Sequence, residues 1–330
     1  MARMARRAAV LGAIGAGLFA AAAAVALAAP TSAFPPEILD SVVAVLPEWP
    51  GHARGRAPAG RYGEAPEGSA VAVRAGGYLA TNLHVVARAR RISVRLGDGR
   101  LVAAEIVASD AATDIAVLKV ALDIPVLPRG PEPALADRVC VVGNPFGLGL
   151  SVTCGVVSAL HRTGTGFNRI EDFIQTDAAV NPGASGGALV DSQGRLVGMV
   201  SAIFTKGTDA NIGVNFAAST ALLMRVVDDL IRHGRVIRAR AGLRVRDLTD
   251  AERRNHTGVR VTSITPGGAA MRAGLRPGDL ITAIGARRIV KATDLTGAIQ
   301  LHRPGDRIEV RVRRGDDRRV VSVELDGPRP

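Results

Sequence analysis

Aromatic side chains are scarce in this chain of 330 residues: Phe, Trp and Tyr together make up 3% of it. So few rings exclude stacking platforms for single-stranded nucleic acid and the aromatic girdle of a membrane barrel. There are only two cysteines and six dispersed histidines, without zinc-ligand spacing. The chain also lacks a Gly-x-y period and a Gly-x-x-x-x-Gly-Lys-Ser/Thr loop. We therefore expect no collagen-like structure, no bound metal and no nucleotide or other cofactor.

What the chain does contain is typical of a folded, exported or soluble protein. With 47% apolar and 22% charged residues, its length predicts about two domains. The formal net charge is +12, and residues 235–330 hold 21 Arg or Lys against 11 Asp or Glu. A basic face suits nucleic acid, anionic lipid or acidic polypeptide. Because zinc-finger spacing, RNP-type aromatic runs and basic heptads are absent, we predict no nucleic-acid partner.

The N-terminus has the order of an export signal. Arg3, Arg6 and Arg7 precede an apolar run at residues 8–29, and small residues allow cleavage before Phe34. The same run is also long enough to span a bilayer. Residues 1–33 are thus predicted to be a signal peptide or a membrane anchor, and both alternatives stay open. Prolines and glycines in residues 34–66 predict an N-terminal arm with little core of its own.

The sequence after residue 66 predicts mainly β-structure. Short apolar runs separated by turn signals extend over residues 67–218, and a proline-rich stretch near 127–135 divides them into halves of similar size. This pattern predicts two small antiparallel barrels. Ser219 precedes apolar residues at helical spacing that end at Gly234, so residues 219–240 are predicted to form a connecting helix and linker. Residues 241–327 are long enough for another domain.

Cys140 and Cys154 lie symmetrically about the turn at residues 143–147. If the flanking segments form a hairpin, an exported chain would allow a disulfide between them. The alternative is two small core residues. The sequence alone leaves both open, because strand register decides between them.

Three separated segments carry the residue types that acyl transfer requires. A serine hydroxyl needs a base beside it, a carboxylate that orients the base, and amide donors for the oxyanion. Ser185 stands in the glycine-rich stretch Asn-Pro-Gly-Ala-Ser-Gly-Gly, where the N–H groups of Gly183 and Ser185 would form an oxyanion hole. Upstream, His84 and Asp114 are polar residues within apolar segments. The order His, Asp, Ser is that of chymotrypsin-like proteases.

The surrounding motifs resemble those of the HtrA (Deg) family of exported trypsin-like serine proteases. They include TNLHVV, TDIAVLKV, VVGNPFGLGLSVTCGVVSA, QTDAAVNPGASGGALV and NIGVNFA. The resemblance implies a chymotrypsin-like double β-barrel in which His84 is the general base, Asp114 orients it and Ser185 is the nucleophile. One position departs from the family, which usually has Asn where this chain has Ala184. The oxyanion donors are main-chain amides, so we expect the chemistry to survive without that side-chain hydrogen bond.

The resemblance also implies a substrate-binding region. Ala179, six residues before the nucleophile, would form the floor of the P1 pocket, and no carboxylate is present there to bind Lys or Arg. We therefore predict cleavage after small or medium aliphatic residues. Ser201 is also expected to support Asp114. The other predicted substrate contacts are the strand edge formed by Ser201, Ala202 and Ile203 and the opposing residues Ile212, Gly213 and Val214.

The C-terminal region resembles the PDZ domain that follows the protease in this family. Ala241, Gly242 and Leu243 match the loop whose amides receive a peptide carboxylate, and ITPGGAA and AGLRPGDLI match later motifs. Gly285-Ala286 replaces the family's usual Asn-Gly. An alternative is a small β domain that only packs against the protease.

Taken as a whole, the resemblance implies an ATP-independent endopeptidase of the periplasm or cell envelope. Its expected substrates are unfolded or damaged polypeptides, its PDZ domain would bind peptide C-termini or exposed segments, and it would form homotrimers. Membrane association would follow only if the N-terminal apolar run is retained. The alternative function is a chaperone-like protein that holds peptides without cutting them.

Overall fold

The computed structural model describes residues 35–50, 67–203 and 212–328, with the side chains of residues 202 and 203 excepted. The predicted signal peptide or anchor at residues 1–33 lies outside these ranges. Within them, every helix is too short or too polar to cross a bilayer. Their architecture is two closed barrels followed by an open antiparallel sheet.

The first barrel has six antiparallel strands in the order β1-β2-β3-β6-β5-β4. Its interior is filled by small branched side chains such as Val45, Leu79, Val94 and Leu118, all fully buried. A short helix, α1, follows β3. The element bounds are β1 (Val42–Glu48), β2 (Gly68–Arg74), β3 (Tyr78–Asn82), α1 (Leu83–Val86), β4 (Arg91–Arg95), β5 (Leu101–Asp110) and β6 (Ile115–Val120), after a 3₁₀ helix at Pro36–Ser41.

Strand β1 corrects the prediction of an N-terminal arm without a core, which is wrong for residues 42–48. Val42 to Val45 are buried and pair with β2, and residues 44–48 pair with β4. Pro47, which favoured the arm, lies beyond the part of β1 that pairs with β2. A proline is tolerated in a strand at a position where no neighbouring strand requires an N–H donor. Pro47 therefore does not interrupt the barrel.

The second barrel repeats the six-stranded design in the order β10-β11-β12-β9-β8-β7. Strand β7 begins 18 residues after β6 ends, so the connection contains the proline-rich stretch at 127–135. The bounds are β7 (Arg138–Gly143), β8 (Ser151–Arg162), β9 (Phe173–Thr176), β10 (Ala188–Asp191), β11 (Leu196–Ile203) and β12 (Asn215–Ser219), with a 3₁₀ helix at Pro145–Gly147.

The open question about the cysteines is answered by the register of β7 and β8. Cys140 lies directly opposite Cys154, with 4.1 Å between their Cα atoms, and the two are joined by a disulfide. Of the two alternatives, the disulfide across a hairpin is therefore the one found, and not two unlinked core cysteines.

Helix α2 (Thr220–His233) holds the two barrels together. The hydroxyl of Ser219 accepts the N–H of Leu222, and Gly234 ends the helix at φ +66°, as the sequence predicted. Its apolar face, including Leu223, Val227 and Leu230, is buried against β5 and β6 of the first barrel and β11 and β12 of the second. An amphipathic helix packed on both barrels fixes the position of one barrel relative to the other.

The C-terminal sheet has the order β13-β14-β15-β17-β18, with the short β16 paired to β15. Its own core, which includes Val259, Ile281, Ile289 and Val323, is separate from those of the barrels. The bounds are β13 (Leu243–Asp247), α3 (Asp250–Arg253), β14 (Val259–Ile264), α4 (Ala269–Arg272), β15 (Leu280–Ile284), β16 (Arg287–Arg288), α5 (Ala292–Gln300), β17 (Arg307–Arg314) and β18 (Asp317–Glu324).

A buried carboxylate joins this sheet to the second barrel. Asp172 accepts hydrogen bonds from Ser219 at 2.6 Å and from Arg287 of β16 at 2.7 Å, and the ring of His161 lies 3.1 Å away. Burial by itself raises the pKa of Asp172, but the bond with His161, the charge of Arg287 and the Ser219 hydroxyl outweigh it and lower the pKa. Asp172 is therefore ionised at neutral pH and anchors the C-terminal sheet.

Candidate active site

His84 is presented by the one-turn helix α1 at the mouth of the first barrel. The buried neighbours Val85 and Val86 fix this turn in the core, while the His84 side chain is 52% exposed. The backbone N–H of His84 donates to Asp114 Oδ1 at 2.9 Å, and the ring Nδ1 of His84 lies 2.6 Å from Asp114 Oδ2. The same carboxylate thus fixes both the backbone and the ring of His84.

Asp114 lies in the tight turn between β5 and β6 and has φ +56°, in the left-handed region that favours glycine. Hydrogen bonds from neighbouring segments help to hold this turn. The carbonyl oxygen of Asp114 accepts the N–H of Leu83 at 3.1 Å and the side-chain amide of Asn82 at 3.1 Å, and the carbonyl of the neighbouring Thr113 accepts the amide of Asn168 at 3.2 Å. Backbone strain of this kind persists only where surrounding contacts impose it, and it is common at functional sites.

The geometry determines which nitrogen of His84 is free. An ionised carboxylate only accepts hydrogen bonds, so the Nδ1 facing Asp114 carries the proton. The neutral ring then keeps its lone pair on Nε2. This is the tautomer that a general base needs.

Ser185 lies on a tight loop of the second barrel that leads into β10. Gly183 in this loop has φ +96°, and a Cβ at this position would lie 2.3 Å from the carbonyl oxygen of Asn144. A Cβ on Gly186 would lie 2.0 Å from the carbonyl oxygen of Ser69. Both glycines are therefore required by close backbone contacts, which explains the glycine-rich spacing around the serine.

The backbone of this loop is fixed on its carbonyl side. The carbonyl of Pro182 accepts the N–H of Phe146 at 2.7 Å, and the carbonyl of Gly183 accepts the hydroxyl of Ser69 at 2.8 Å. Within the described residues, the N–H groups of Gly183 and Ser185 donate to no acceptor. Unpaired amides held in a fixed direction are what an oxyanion hole provides.

Ala184, which departs from the family pattern, is 2% exposed and belongs to the apolar core of the second barrel. A Cβ on Gly143 would lie 3.1 Å from the Cα of Ala184. The small side chain therefore packs beside Gly143 and is part of the core beneath the loop.

A cavity of about 500 Å³ brings the three candidate residues together. It is lined by His84, Asp114 and Ser185. Ser201, which is 4% exposed, also lines it, and its hydroxyl lies 3.4 Å from the amide nitrogen of Asn82, whose other contact is the Asp114 carbonyl. Ser201 therefore approaches Asp114 through Asn82.

Among the predicted substrate contacts whose side chains are described, Ala179, Ile212 and Val214 do not line this cavity, and neither does Gly213. Ala179 is exposed, while its neighbour Val180 lines the cavity. Ile212 is 52% exposed, and Val214 packs beside Phe173 and Phe216. The side chains of Ala202 and Ile203 lie outside the described residues, although their backbone belongs to β11.

Sequence reasoning missed the loop at residues 163–172. Its Phe167 and Asn168 line the cavity, and Glu171 fixes the loop by accepting the N–H groups of Thr165, Phe167 and Asn168 at 2.8 to 3.0 Å. The segment has no apolar periodicity. Its adjacent carboxylates, Glu171 and Asp172, were the one signal that the sequence offered.

Comparisons with known proteins agree with this geometry. A model of the trypsin-like peptidase domain matches residues 68–199, and a model of the PDZ domain matches residues 239–325. The serine endoprotease DegS of Salmonella typhimurium is 37% identical over 270 residues, which cover 78% of this chain and 76% of DegS. The chain belongs to the HtrA family of trypsin-like serine endoproteases.

Other members of the HtrA family are similarly close. The periplasmic pH-dependent serine endoprotease DegQ of Escherichia coli is 33% identical over 273 residues, covering 78% of this chain and 59% of DegQ. A solved structure of the HtrA-type protease AlgW with a tripeptide has 38% identity and a TM-score of 0.66, covering 88% of this chain and 95% of AlgW. The prediction of a chymotrypsin-like double barrel followed by a PDZ domain is thereby confirmed.

In this HtrA-family chain the predicted peptide-binding loop of the PDZ domain lies just before its edge strand. Gly242 has φ +69°, and its carbonyl accepts the N–H of Thr265 at 2.8 Å. Ala241 accepts the N–H of Ala270 at 2.8 Å, and among the described residues the N–H groups of Ala241 and Gly242 have no acceptor. Leu243 starts β13, which is paired on one side only, with β14.

Proposed function

We propose that the chain cleaves polypeptides with His84 as general base, Asp114 as the residue that orients it and Ser185 as nucleophile. The observation that carries this proposal is the 2.6 Å contact between His84 Nδ1 and Asp114 Oδ2 in the cavity that Ser185 also lines. Nε2 of His84 removes the Ser185 proton as the hydroxyl oxygen attacks the scissile carbonyl. The N–H groups of Gly183 and Ser185 stabilise the resulting oxyanion.

The remaining steps follow from the same residues. The imidazolium of His84 gives its proton to the leaving amine when the tetrahedral intermediate collapses, which leaves an acyl group on Ser185. A water molecule then donates a proton to Nε2 and attacks the acyl carbon, and the second collapse returns the proton to Ser185. Asp114 stays ionised throughout and stabilises the imidazolium.

We infer a preference for small or medium aliphatic residues before the cleaved bond. Asp114 is the one carboxylate among the described residues that line the cavity, and it is occupied by His84. A substrate Lys or Arg would therefore lose its hydration without gaining a charge partner. Ala179 as the floor of the P1 pocket remains part of this proposal. Cleavage of matched peptides with Ala, Val or Arg at P1 tests it, because faster cleavage after Arg would contradict the assignment.

Unfolded polypeptides are the substrate class that the fold suits. Strand β11, at Ser201 to Ile203, would pair with an extended substrate backbone, and the Ala241 to Leu243 loop would receive a C-terminal carboxylate while the peptide extends β13. Both modes need an exposed, extended segment. Binding of one peptide with a free and with an amidated C-terminus tests the PDZ role, and equal affinities would contradict it.

Relatives whose names describe them as periplasmic support a periplasmic location for this chain. Anchoring by residues 1–33 and assembly into a homotrimer are also proposed, on the family resemblance alone. N-terminal sequencing of the exported protein separates a cleaved signal from an anchor, because a chain that begins at Phe34 has no anchor.

Incubation of unfolded casein with the wild type and with Ser185→Ala tests the central proposal. We expect fragments from the wild type only, with a rate loss of about 10⁴-fold or more in the variant. Ser192→Ala, in an exposed turn, is the matched control and should cleave normally. If neither wild type nor variant produces fragments while both bind casein, the chaperone-like alternative holds.

A further inference from the structure

The PDZ domain contains a basic cavity that the proposed peptidase function does not use. It has a volume of about 700 Å³ and lies between the segment after α3 and the outer face of β15, β17 and β18. No carboxylate is among its lining residues. Six arginines are: Arg253, Arg254, Arg311, Arg313, Arg318 and Arg319.

Neighbouring charges do not neutralise this set. The turn between β17 and β18 supplies Asp316, 3.2 Å from Arg313, and Asp317, which contacts Arg319. Glu252 of α3 is already bonded by Arg246 and Arg260. Asp279 also attracts Arg319 but is already paired with Arg314. The six guanidinium groups thus have two exposed carboxylates and a share of a third.

Several of the arginines have no anionic partner. Arg253 and Arg311 donate only to backbone carbonyls, those of Leu248 and Gly285. Arg254 and Arg318 are held through their backbones, but within the described residues their guanidinium groups have no hydrogen bond or ion pair. Like charges placed together repel one another, so such a cluster is stabilised when an anion binds.

A second observation points to a ligand at the same place. Nδ1 of His256, which lines the cavity, is buried and has no hydrogen-bond partner in the described part of the chain. A buried polar atom without a partner costs free energy that a bound acceptor would recover. The cavity thus contains an unsatisfied polar group as well as unpaired cations.

The floor of the cavity indicates what kind of anion fits. Leu280 and Val320 lie among the arginines, and Val320 is 61% exposed. An inorganic anion would leave this apolar strip in water. An acidic peptide is the rival occupant, because β18 is paired with β17 alone and leaves a backbone edge beside the cavity.

We propose that this cavity binds the phosphate-bearing headgroup of an anionic membrane lipid. Arg254 and Arg318 bind the phosphate, since guanidinium groups match phosphate oxygens with paired hydrogen bonds. The exposed Val320 contacts the glycerol and first methylene groups of the lipid, while Leu280 beneath it is 5% exposed. The proposed lipid site is separate from the peptide-binding loop, because Ala241 to Leu243 lead into β13, which forms the opposite edge of the sheet from β18.

Calorimetric titration of the full chain carrying Ser185→Ala, which prevents self-cleavage, tests the proposal. The probes are dihexanoyl phosphatidylglycerol, dihexanoyl phosphatidylcholine, inorganic phosphate and a hexaglutamate peptide, at low ionic strength and below micelle concentrations. We expect phosphatidylglycerol to bind most tightly. The double variant Arg254→Gln with Arg318→Gln should bind phosphatidylglycerol about tenfold more weakly, or weaker still. The matched control, Arg276→Gln with Arg288→Gln, removes the same charge from exposed residues outside the cavity and should change nothing.

Each other outcome contradicts the proposal in a definite way. Equal binding of the two lipids excludes recognition of charge. Binding of inorganic phosphate or of the hexaglutamate peptide as tight as that of phosphatidylglycerol excludes the lipid. Equal weakening by both double variants means a general charge effect. The apolar residues 8–29 are present in every sample, so any lipid that they bind is common to all variants. Unchanged thermal unfolding of the double variants shows that they are folded.

Discussion

The hydroxyl of Ser69, on strand β2 of the first barrel, donates a 2.8 Å hydrogen bond to the carbonyl of Gly183, on the loop of the second barrel that carries Ser185. The N–H of Ser69 donates to the carbonyl of Ser185, also at 2.8 Å. The Pro182 carbonyl on the other side of Gly183 is held by Phe146. Because a peptide unit is planar, fixing the Pro182 carbonyl fixes the direction of the Gly183 N–H, while the two bonds from Ser69 hold the peptide units that follow Gly183 and Ser185. One serine therefore supports the candidate oxyanion hole from the opposite barrel.

Ser69→Ala removes the hydroxyl from this contact and also removes the acceptor of the Asn144 N–H. We expect kcat to fall by about ten- to a hundredfold while KM stays within about twofold, because the oxyanion exists only after the attack. Steady-state cleavage of a peptide substrate measures both constants. Affinity for a peptide aldehyde, which forms a tetrahedral adduct, should fall in parallel with kcat.

Ser192→Ala serves as the control for Ser69, since it removes a hydroxyl from an exposed turn. It should leave kcat, KM and aldehyde affinity unchanged. A Ser69→Ala variant that loses thermal stability but keeps its aldehyde affinity would show that the hydroxyl is structural only.

Asp114→Asn tests the tautomer argument for His84. The amide nitrogen of Asn would face Nδ1 as a donor and would favour a proton on Nε2, where the base must accept one. We expect kcat to fall by about 10⁴-fold with little change in KM. Hydrolysis rates at neutral pH measure it, with Asp98→Asn in an exposed turn as the control. A loss of less than tenfold would mean that the carboxylate does not orient the base.

The barrels and the three candidate catalytic residues were predictable because their signals are local. Each residue stands within a short motif, and hydrophobic alternation marks the strands. Strand β1 was missed because Pro47 signals a break locally, and only the pairing with β4 on one side shows that it is tolerated. The role of Ser69 was not visible, since its contact with Gly183 joins residues 114 apart in sequence. The disulfide could not be predicted either, because it depends on the register between β7 and β8, which the local sequence does not determine.

Asp172 predicts an acid-sensitive contact between the PDZ domain and the second barrel. Its pKa in the folded protein is lower than the ordinary 3.8, so its contribution to stability is present above about pH 4. It is lost as the pH falls through the folded-state pKa. Asp172→Asn should lower the free energy of unfolding at pH 7 by about 3 kcal/mol, because it leaves Arg287 buried without a counterion. Urea denaturation at several pH values measures this difference.

The difference between wild type and Asp172→Asn should shrink as the pH is lowered below 4, since the wild-type carboxyl then becomes neutral as well. Asp316→Asn, whose side chain is fully exposed, is the control and should change stability by less than about 0.5 kcal/mol. A difference that stays constant down to pH 2 would exclude ionisation of Asp172 as the source of the stabilisation.

The disulfide between Cys140 and Cys154 should stabilise the second barrel mainly through the unfolded chain. The ladder between β7 and β8 already holds the two residues opposite each other in the folded state. In the unfolded state the bond closes a loop over a sequence separation of 14, which corresponds to about 3 kcal/mol. Urea denaturation of Cys140→Ala with Cys154→Ala should show a loss of this size, and dithiothreitol should lower the wild type to the same level without affecting the variant. If the variant stays within 1 kcal/mol of the oxidised wild type, residual hairpin structure already restricts the unfolded chain and the bond adds little.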